Sequence, residues 1–231
     1  MAVLSAAVIF TGCNMMRGSG IIVENEVDID GFKSIDANYN CDLTVTQGDE
    51  YSVTVNCDDN IVDSLDLKLV GDSLYISLAP YSVYNYVTFE VIVVMPSLEE
   101  AVISGATDFE ISGFESDSTF NADVSGASRG TFSFISVGDI SAEVSGASEV
   151  TIEAVDMEGT LYVKCSGASK ADLRDIEAKN ADVELSGASK MWVDCSGTLS
   201  GSVSGASDLY YQGGCYTGDL DLDISSDLMQ F

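Results

Sequence analysis

Histidine is absent from these 231 residues, and basic side chains are scarce: nine Lys and Arg stand against 38 Asp and Glu, a formal charge of -29. Without histidine a Ser-His-Asp triad has no base, and a zinc site loses its usual nitrogen ligand. A carboxylate surplus of this size repels phosphate backbones, so nucleic acid is excluded as a partner and an anionic bilayer is unattractive to the folded body. Proline occurs only twice and tryptophan once. No segment sustains a helical period between capping residues, which leaves strands and turns as the building material.

What the chain does have is apolar residues, 46% of the total, together with 21 glycines, enough to build a core and many tight turns. It also has a repeat. Ser-Gly-Ala-Thr at Ser104 to Thr107 is followed by Ser-Gly-Ala-Ser starting at Ser125, Ser145, Ser166, Ser186 and Ser204, at intervals of 21, 20, 21, 20 and 18 residues. So regular a period marks a solenoid in which each unit is one coil.

Aligned on the first Ser, two columns are largely apolar: Phe109, Gly130, Val150, Ala171, Met191 and Leu209, and then Ile111, Phe132, Ile152, Leu173, Val193 and Tyr211. Between them runs a mostly polar column of Glu110, Thr131, Thr151, Asp172, Trp192 and Tyr210. Period-two alternation of this kind predicts a strand after each tetrapeptide with one buried face. A second short strand leads into each copy, as in Asn121 to Val124 and Ala181 to Leu185. The simplest solution is an all-β, single-stranded parallel β-helix with about 20 residues per coil. Leucine-rich repeats lack their Leu pattern here, and pentapeptide-like units are not tandem. In the tetrapeptide, Gly is expected to supply the corner angles, Ala to point into the bend and Ser to bond neighbouring backbone. The column Asp108, Arg129, Glu149, Lys170, Lys190 and Asp208 mostly alternates in sign, which predicts ion pairs between coils.

The N-terminus differs in composition. Met1 to Phe10 is a short apolar run, too short to span a bilayer and suited to the core of a signal peptide. It ends in Phe10-Thr11-Gly12-Cys13, which resembles a lipobox, so residues 1–13 are expected to be a lipoprotein signal peptide with Cys13 the lipidated residue. A buried N-terminal strand with a chance cysteine is the alternative. Residues 14–20 would then be a tether, 21–100 irregular first coils that cap the solenoid, and 101–231 the marked coils; a separate N-terminal β-sandwich competes with the cap. Ser225-Ser226-Asp227 reads as a degenerate last copy. Of the five cysteines after Cys13, Cys41 and Cys57 flank a hairpin-like turn at Gln47 to Glu50, where a disulfide would suit an oxidising compartment. Cys165 takes the place of an aliphatic residue in its repeat.

Gly31 to Ile35, Leu43 to Gly48, Tyr51 to Val55, Asp59 to Ile61, Gly71 to Ile76 and Met95 to Leu98, in that order and followed by the Ser-Gly-Ala-Ser copies, resemble the putative auto-transporter adhesin head GIN domain family. That resemblance implies a right-handed parallel β-helix and a bacterial cell-envelope location behind a lipid anchor, periplasmic or outer-membrane associated. It attaches no established activity to the domain.

Chemistry is sparser than architecture. Gly126-Ala-Ser128-Arg-Gly130 matches a nucleophile elbow by coincidence of one repeat, and it has no base. Asp219, Asp221 and Asp223 alternate along one strand and form the best calcium candidate; no other cofactor is indicated. Glu99-Glu100 and Asp58-Asp59 read as solvated strand edges. Trp192 and Tyr210 share an outward column, with Tyr162 nearby, and are expected to bind a glycan or an envelope protein; Tyr81, Tyr84 and Tyr86 form a second aromatic group. The sequence thus favours a non-enzymatic envelope scaffold that binds or adheres. A carbohydrate-active β-helix using paired carboxylates or calcium is the alternative.

Overall fold

The computed structural model describes residues 14–80, 82–157 and 159–231. Its repeats build two ladders of parallel strands, one entering the tetrapeptide and one leaving it. In the first ladder Glu100–Ile103, Phe120–Val124, Ile140–Val144 and Thr160–Cys165 pair in succession. In the second, Asp108–Glu115, Arg129–Val137 and Glu149–Met157 do the same. Further on, Lys170–Leu185 and Lys190–Val203 each run through both ladders as a single strand. The product is a β-solenoid of about 6 turns with about 20 residues per turn.

Register follows the sequence columns residue for residue: Phe109, Gly130, Val150, Ala171, Met191 and Leu209 are successive Cα partners. Ile111, Phe132, Ile152, Leu173 and Val193 stack beside them and are buried, each contributing about 1.5–3 kcal/mol of transfer free energy. Phe120 links Phe132 and Phe134 at ring centroid distances of 5.2 and 4.8 Å, an aromatic seam inside the early coils.

The tetrapeptide is the corner between the ladders. Its glycines all have φ between 69 and 84°, and in the five copies after the first the Ala N–H donates to the Gly carbonyl one coil back, as in Ala168 N to Gly146 O at 2.8 Å. Hydrogen bonding therefore continues around the bend. The Ala side chains point outward rather than into it, and the last residue of each copy is buried instead. In three copies the buried hydroxyl serves a carbonyl that the turn removes from the ladder: Ser128, Ser169 and Ser189 donate to the first Ser of their own copies at 3.0, 2.8 and 2.6 Å.

Two unmarked corners extend the stack. Asn38-Tyr39-Asn40-Cys41 lies beneath Ser104 to Thr107, with Tyr39 at φ 94° in the glycine place and Cys41 beneath Thr107. At the other end the last copy is Asp223 to Ser226, with Ser226 donating to Asp223 O at 2.7 Å; Asp227 already begins the next strand. The degenerate copy is thus displaced from Ser225-Ser226-Asp227 by the geometry of the fourth position.

Among the described residues the N-terminal part shares the core and the main sheet of the marked coils. Ser34–Ala37 and Asp42–Gln47 pair in parallel with the first marked coil. On their other side lie Ser73–Leu78 and Phe89–Met95, later in sequence but outward in space. Antiparallel strands close this end: Leu65–Val70 on one ladder, Ser52–Asp58 and then Ile22–Glu26 on the other. Phe89–Met95 separates Asp42–Gln47 from Ser52–Asp58, so those two are not a hairpin. Cys41 and Cys57 consequently stand two strand spacings apart, about 9–10 Å, beyond the about 7 Å that a disulfide spans. Both are buried free thiols.

Residues 14–17 form a strand on Ser82–Asn85, so the expected tether is docked to the body. Asp58, expected at a solvated edge, is 1% exposed and accepts Gly20 N–H at 2.6 Å and Thr88 N–H at 2.7 Å. It fastens the incoming chain to the cap. Cys13, Tyr81 and the expected signal segment lie outside the described residues.

Candidate functional site

Trp192 and Tyr210 are neighbours in register on the outer face of the second ladder. Their rings stack at 5.2 Å with an interplanar angle of 9°. On the side of Asp172, the Arg174 guanidinium lies 5.8 Å from the Trp192 ring, held there by Asp172. Those bonds from Arg174 hold the Asp172 carboxyl below its usual range. Both faces of the indole are therefore occupied, and Tyr210 is set between Trp192 and Met229 in register, whereas sugar stacking requires a free ring face. Tyr162 is not part of this column: it projects from the first ladder.

There it stands 47% exposed between Ser141 and Asp182, side chains too short to cover its ring. Tyr162, Val163, Lys164, Asp182 and Glu184 line a depression of about 130 Å³. Lys164 bonds Glu184 at 2.9 Å, which raises the Lys164 ammonium above its ordinary value, with Glu143 and Asp182 adding to the rise. An open aromatic face beside an ammonium and two carboxylates can stack on an apolar ring face while donating to and accepting from hydroxyls. Tyr162 was legible as an exposed aromatic; its polar companions are set by register across three coils.

The electrostatic setting is uneven. Among the described residues, seven of the nine basic side chains form ion pairs with carboxylates. Arg129, Lys170 and Lys190 sit on the second ladder, where the alternating column pairs Arg129 and Lys170 with Glu149 and Lys190 with Asp208. Around Tyr162 the outward residues include Asp123, Glu143, Asp182, Glu184, Asp219 and Asp221. Such a face favours neutral or cationic ligands. On the second ladder Asp42, Asp108 and Arg129 border a shallow depression of about 400 Å³. Burial, then the nearby Asp108 and Glu90, raise the Asp42 carboxyl above its usual range.

Other expected sites disperse. Asp219 and Asp221 belong to Tyr216–Leu222, but Asp223 lies in the corner, where its carboxylate accepts Ile224 N–H at 2.7 Å. Among the described residues no group of three Asp, Glu or Cys side chains converges as a metal site. Ser128 is buried with its hydroxyl bonded to Ser125 O, so the elbow motif holds no accessible nucleophile. Tyr84 bonds Ala79 O and packs on Tyr39, while Tyr86 is 88% exposed beneath Arg17.

The model of the putative auto-transporter adhesin, head GIN domain family matches residues 31–215. The chain belongs to this family. No curated protein matches this head GIN domain. Solved structures share its fold at low identity. A putative adhesin from Bacteroides fragilis aligns with a TM-score of 0.80 at 15% identity, over 94% of this chain and all of that one. A putative lipid binding protein from Parabacteroides distasonis aligns at 0.71 and 16%, over 94% and 100%, and a putative adhesin from the same species at 0.66 and 15%, also over 94% and 100%. The family and these neighbours carry adhesin or binding descriptions rather than enzymatic ones.

Proposed function

We propose that this head GIN domain is a non-enzymatic cell-envelope adhesin that recognises a neutral or amine-bearing glycan on the outer face of its first ladder. The observation that carries the reading is the depression around Tyr162, where an open aromatic face meets Lys164, Asp182 and Glu184. A rigid solenoid supports it, because coil register fixes these side chains without a loop that must be ordered on binding. The test is retention of the full-length protein on a glycan panel, with Tyr162→Ala as the comparison. Binding that survives the substitution, or retention of envelope proteins and no glycan, overturns the glycan reading. Release of reducing sugar from a polysaccharide overturns the non-enzymatic one.

We further infer that Cys13 anchors the protein through lipid. Supporting this, the chain enters the body at once after that cysteine, and the entry is bordered by Met15, 74% exposed, and by Tyr86 beneath Arg17. Such apolar and aromatic side chains suit a membrane interface. Cys13→Ser is expected to move the protein from the detergent phase to the aqueous phase on phase partitioning; an unchanged distribution refutes the anchor.

A further inference from the structure

Cys195 and Cys215 lie in bends that stack on neighbouring coils. Asp194 pairs with Gln212 and Thr198 with Tyr216, so the three-residue bends Cys195 to Gly197 and Gly213 to Cys215 lie directly on one another between these fixed points. Gly213 is pressed against the Cys195 carbonyl, at φ 87°. Cys195 is fully buried, with its thiol donating to Lys179 O and Thr198 O at 3.4 and 3.3 Å. Cys215 is half-buried and packs against the same core. Burial pushes the Cys195 thiol up to about 11, and the adjacent Cys215 thiol contributes to that rise. The remaining described cysteines have no such neighbour: Cys41 and Cys57 are separated by a strand, and Cys165 is flanked in its ladder by Val144 and Leu185.

We propose that Cys195 and Cys215 form an intrachain disulfide that staples two successive coils near the end of the solenoid, one thiol fully buried and the other partly exposed. The exposure difference sets the order of events. The Cys215 thiolate attacks a disulfide donor, either the disulfide of a dithiol oxidoreductase or glutathione disulfide, forming a mixed disulfide and expelling one donor thiolate. Cys195 then gives its proton to solvent and attacks the Cys215 sulfur, and the second donor thiolate leaves. Two electrons pass to the donor, and the protein closes a bridge across a segment that includes the corner at Ser204. Such a bridge stabilises by restricting the unfolded chain. The inference is independent of the glycan reading, because neither cysteine borders Tyr162.

The experiment equilibrates the full-length protein with excess glutathione disulfide, unfolds it in the presence of a thiol-alkylating reagent, and maps peptides with and without prior reduction. The expected result is one cross-linked peptide pair joining Cys195 to Cys215, with Cys41, Cys57 and Cys165 alkylated without reduction. The oxidised protein is expected to melt several degrees above the reduced one, and Cys215→Ser to abolish both the cross-link and the difference in melting. Alkylation of Cys195 and Cys215 without reduction, a cross-link to any other cysteine, or equal melting in the two redox states of the wild type overturns the proposal.

Discussion

Replacing Gly167 by Ala tests the corner directly. Gly167 has φ 76°, and a Cβ placed on it would lie 2.6 Å from Gly146 O and 3.2 Å from Gly146 N, well inside the about 3.5 Å of an unstrained heavy-atom contact. Two costs therefore add. The left-handed backbone costs an L-residue about 1–2 kcal/mol. Opening the coils to admit the methyl group stretches Ala168 N to Gly146 O, now 2.8 Å, and Ser166 N to Val144 O, now 2.9 Å, at about 0.5–1.5 kcal/mol each. The sum is roughly 2–5 kcal/mol, a large part of the about 5–15 kcal/mol that holds a domain folded. Gly71 separates the two costs, since its φ is 67° but nothing stands within 4 Å of its absent Cβ. Gly71→Ala should lose only the backbone part, about 1–2 kcal/mol. Ala168→Ser, at the outward place beside Gly167, should fall within about 0.5 kcal/mol of wild type. Urea titrations of the four proteins, compared by midpoint at a common slope, measure the differences. Equal losses from Gly167→Ala and Gly71→Ala would refute the claim that coil spacing, rather than backbone conformation alone, demands glycine.

The buried hydroxyl column predicts opposite outcomes for chemically identical changes. Ser169 donates to Ser166 O and Val144 O, so Ser169→Ala should cost about 1–2 kcal/mol; Ser148 Oγ is buried without a partner, so Ser148→Ala should be neutral or stabilising in the same urea titration. Asp42 yields a pH dependence: its carboxyl is raised on folding, so the folded state binds the proton more tightly and its charged form is penalised at neutral pH. Asp42→Asn should then raise the midpoint at pH 7, and the gain should shrink as pH falls through the raised value and vanish below the ordinary carboxylate range. Trp192→Ala should cost about 1–3 kcal/mol through lost ring and guanidinium packing without changing glycan retention, whereas Tyr162→Ala should abolish retention and shift thermal unfolding little.

Alternation told which side chains face inward because a strand has only two faces, and the columns from Phe109 to Leu209 were readable from the sequence alone. The same signal is silent about which strand lies beside which. Asp42–Gln47 and Ser52–Asp58 both alternate and are separated by a turn, and nothing local shows that Phe89–Met95 enters between them. That insertion decided the fate of Cys41 and Cys57. Corner chemistry was half legible: glycine implied its backbone angles, but the inward residue is the last of each copy, and at Ser128, Ser169 and Ser189 its hydroxyl serves a turn carbonyl that Ala could not. At the candidate site, exposure of Trp192, Tyr210 and Tyr162 was readable from their places in strands. Whether their ring faces are free depends on the side chains one coil away, Arg174 and Tyr210 for Trp192, Ser141 and Asp182 for Tyr162.

The same physics separates architecture from recognition in this solenoid. Corner residues are committed to continuing the ladder: their amides bond the coil behind, their glycines have no room for a side chain, and several of their buried hydroxyls satisfy their own turn. No freedom is left there for a ligand, however often the motif recurs. The outer faces are different, because a parallel ladder constrains only the backbone and the inward side chains. An outward column accepts Glu, Lys, Tyr or Ser at each coil without disturbing the core. Recognition on such a scaffold therefore arises where a large side chain is set between small ones, leaving its face open, and where charges of both signs fall within one coil spacing. Of Trp192, Tyr210 and Tyr162, the last meets both conditions, with Lys164, Asp182 and Glu184 beside it. Trp192 and Tyr210 fail the first because each is the other's neighbour.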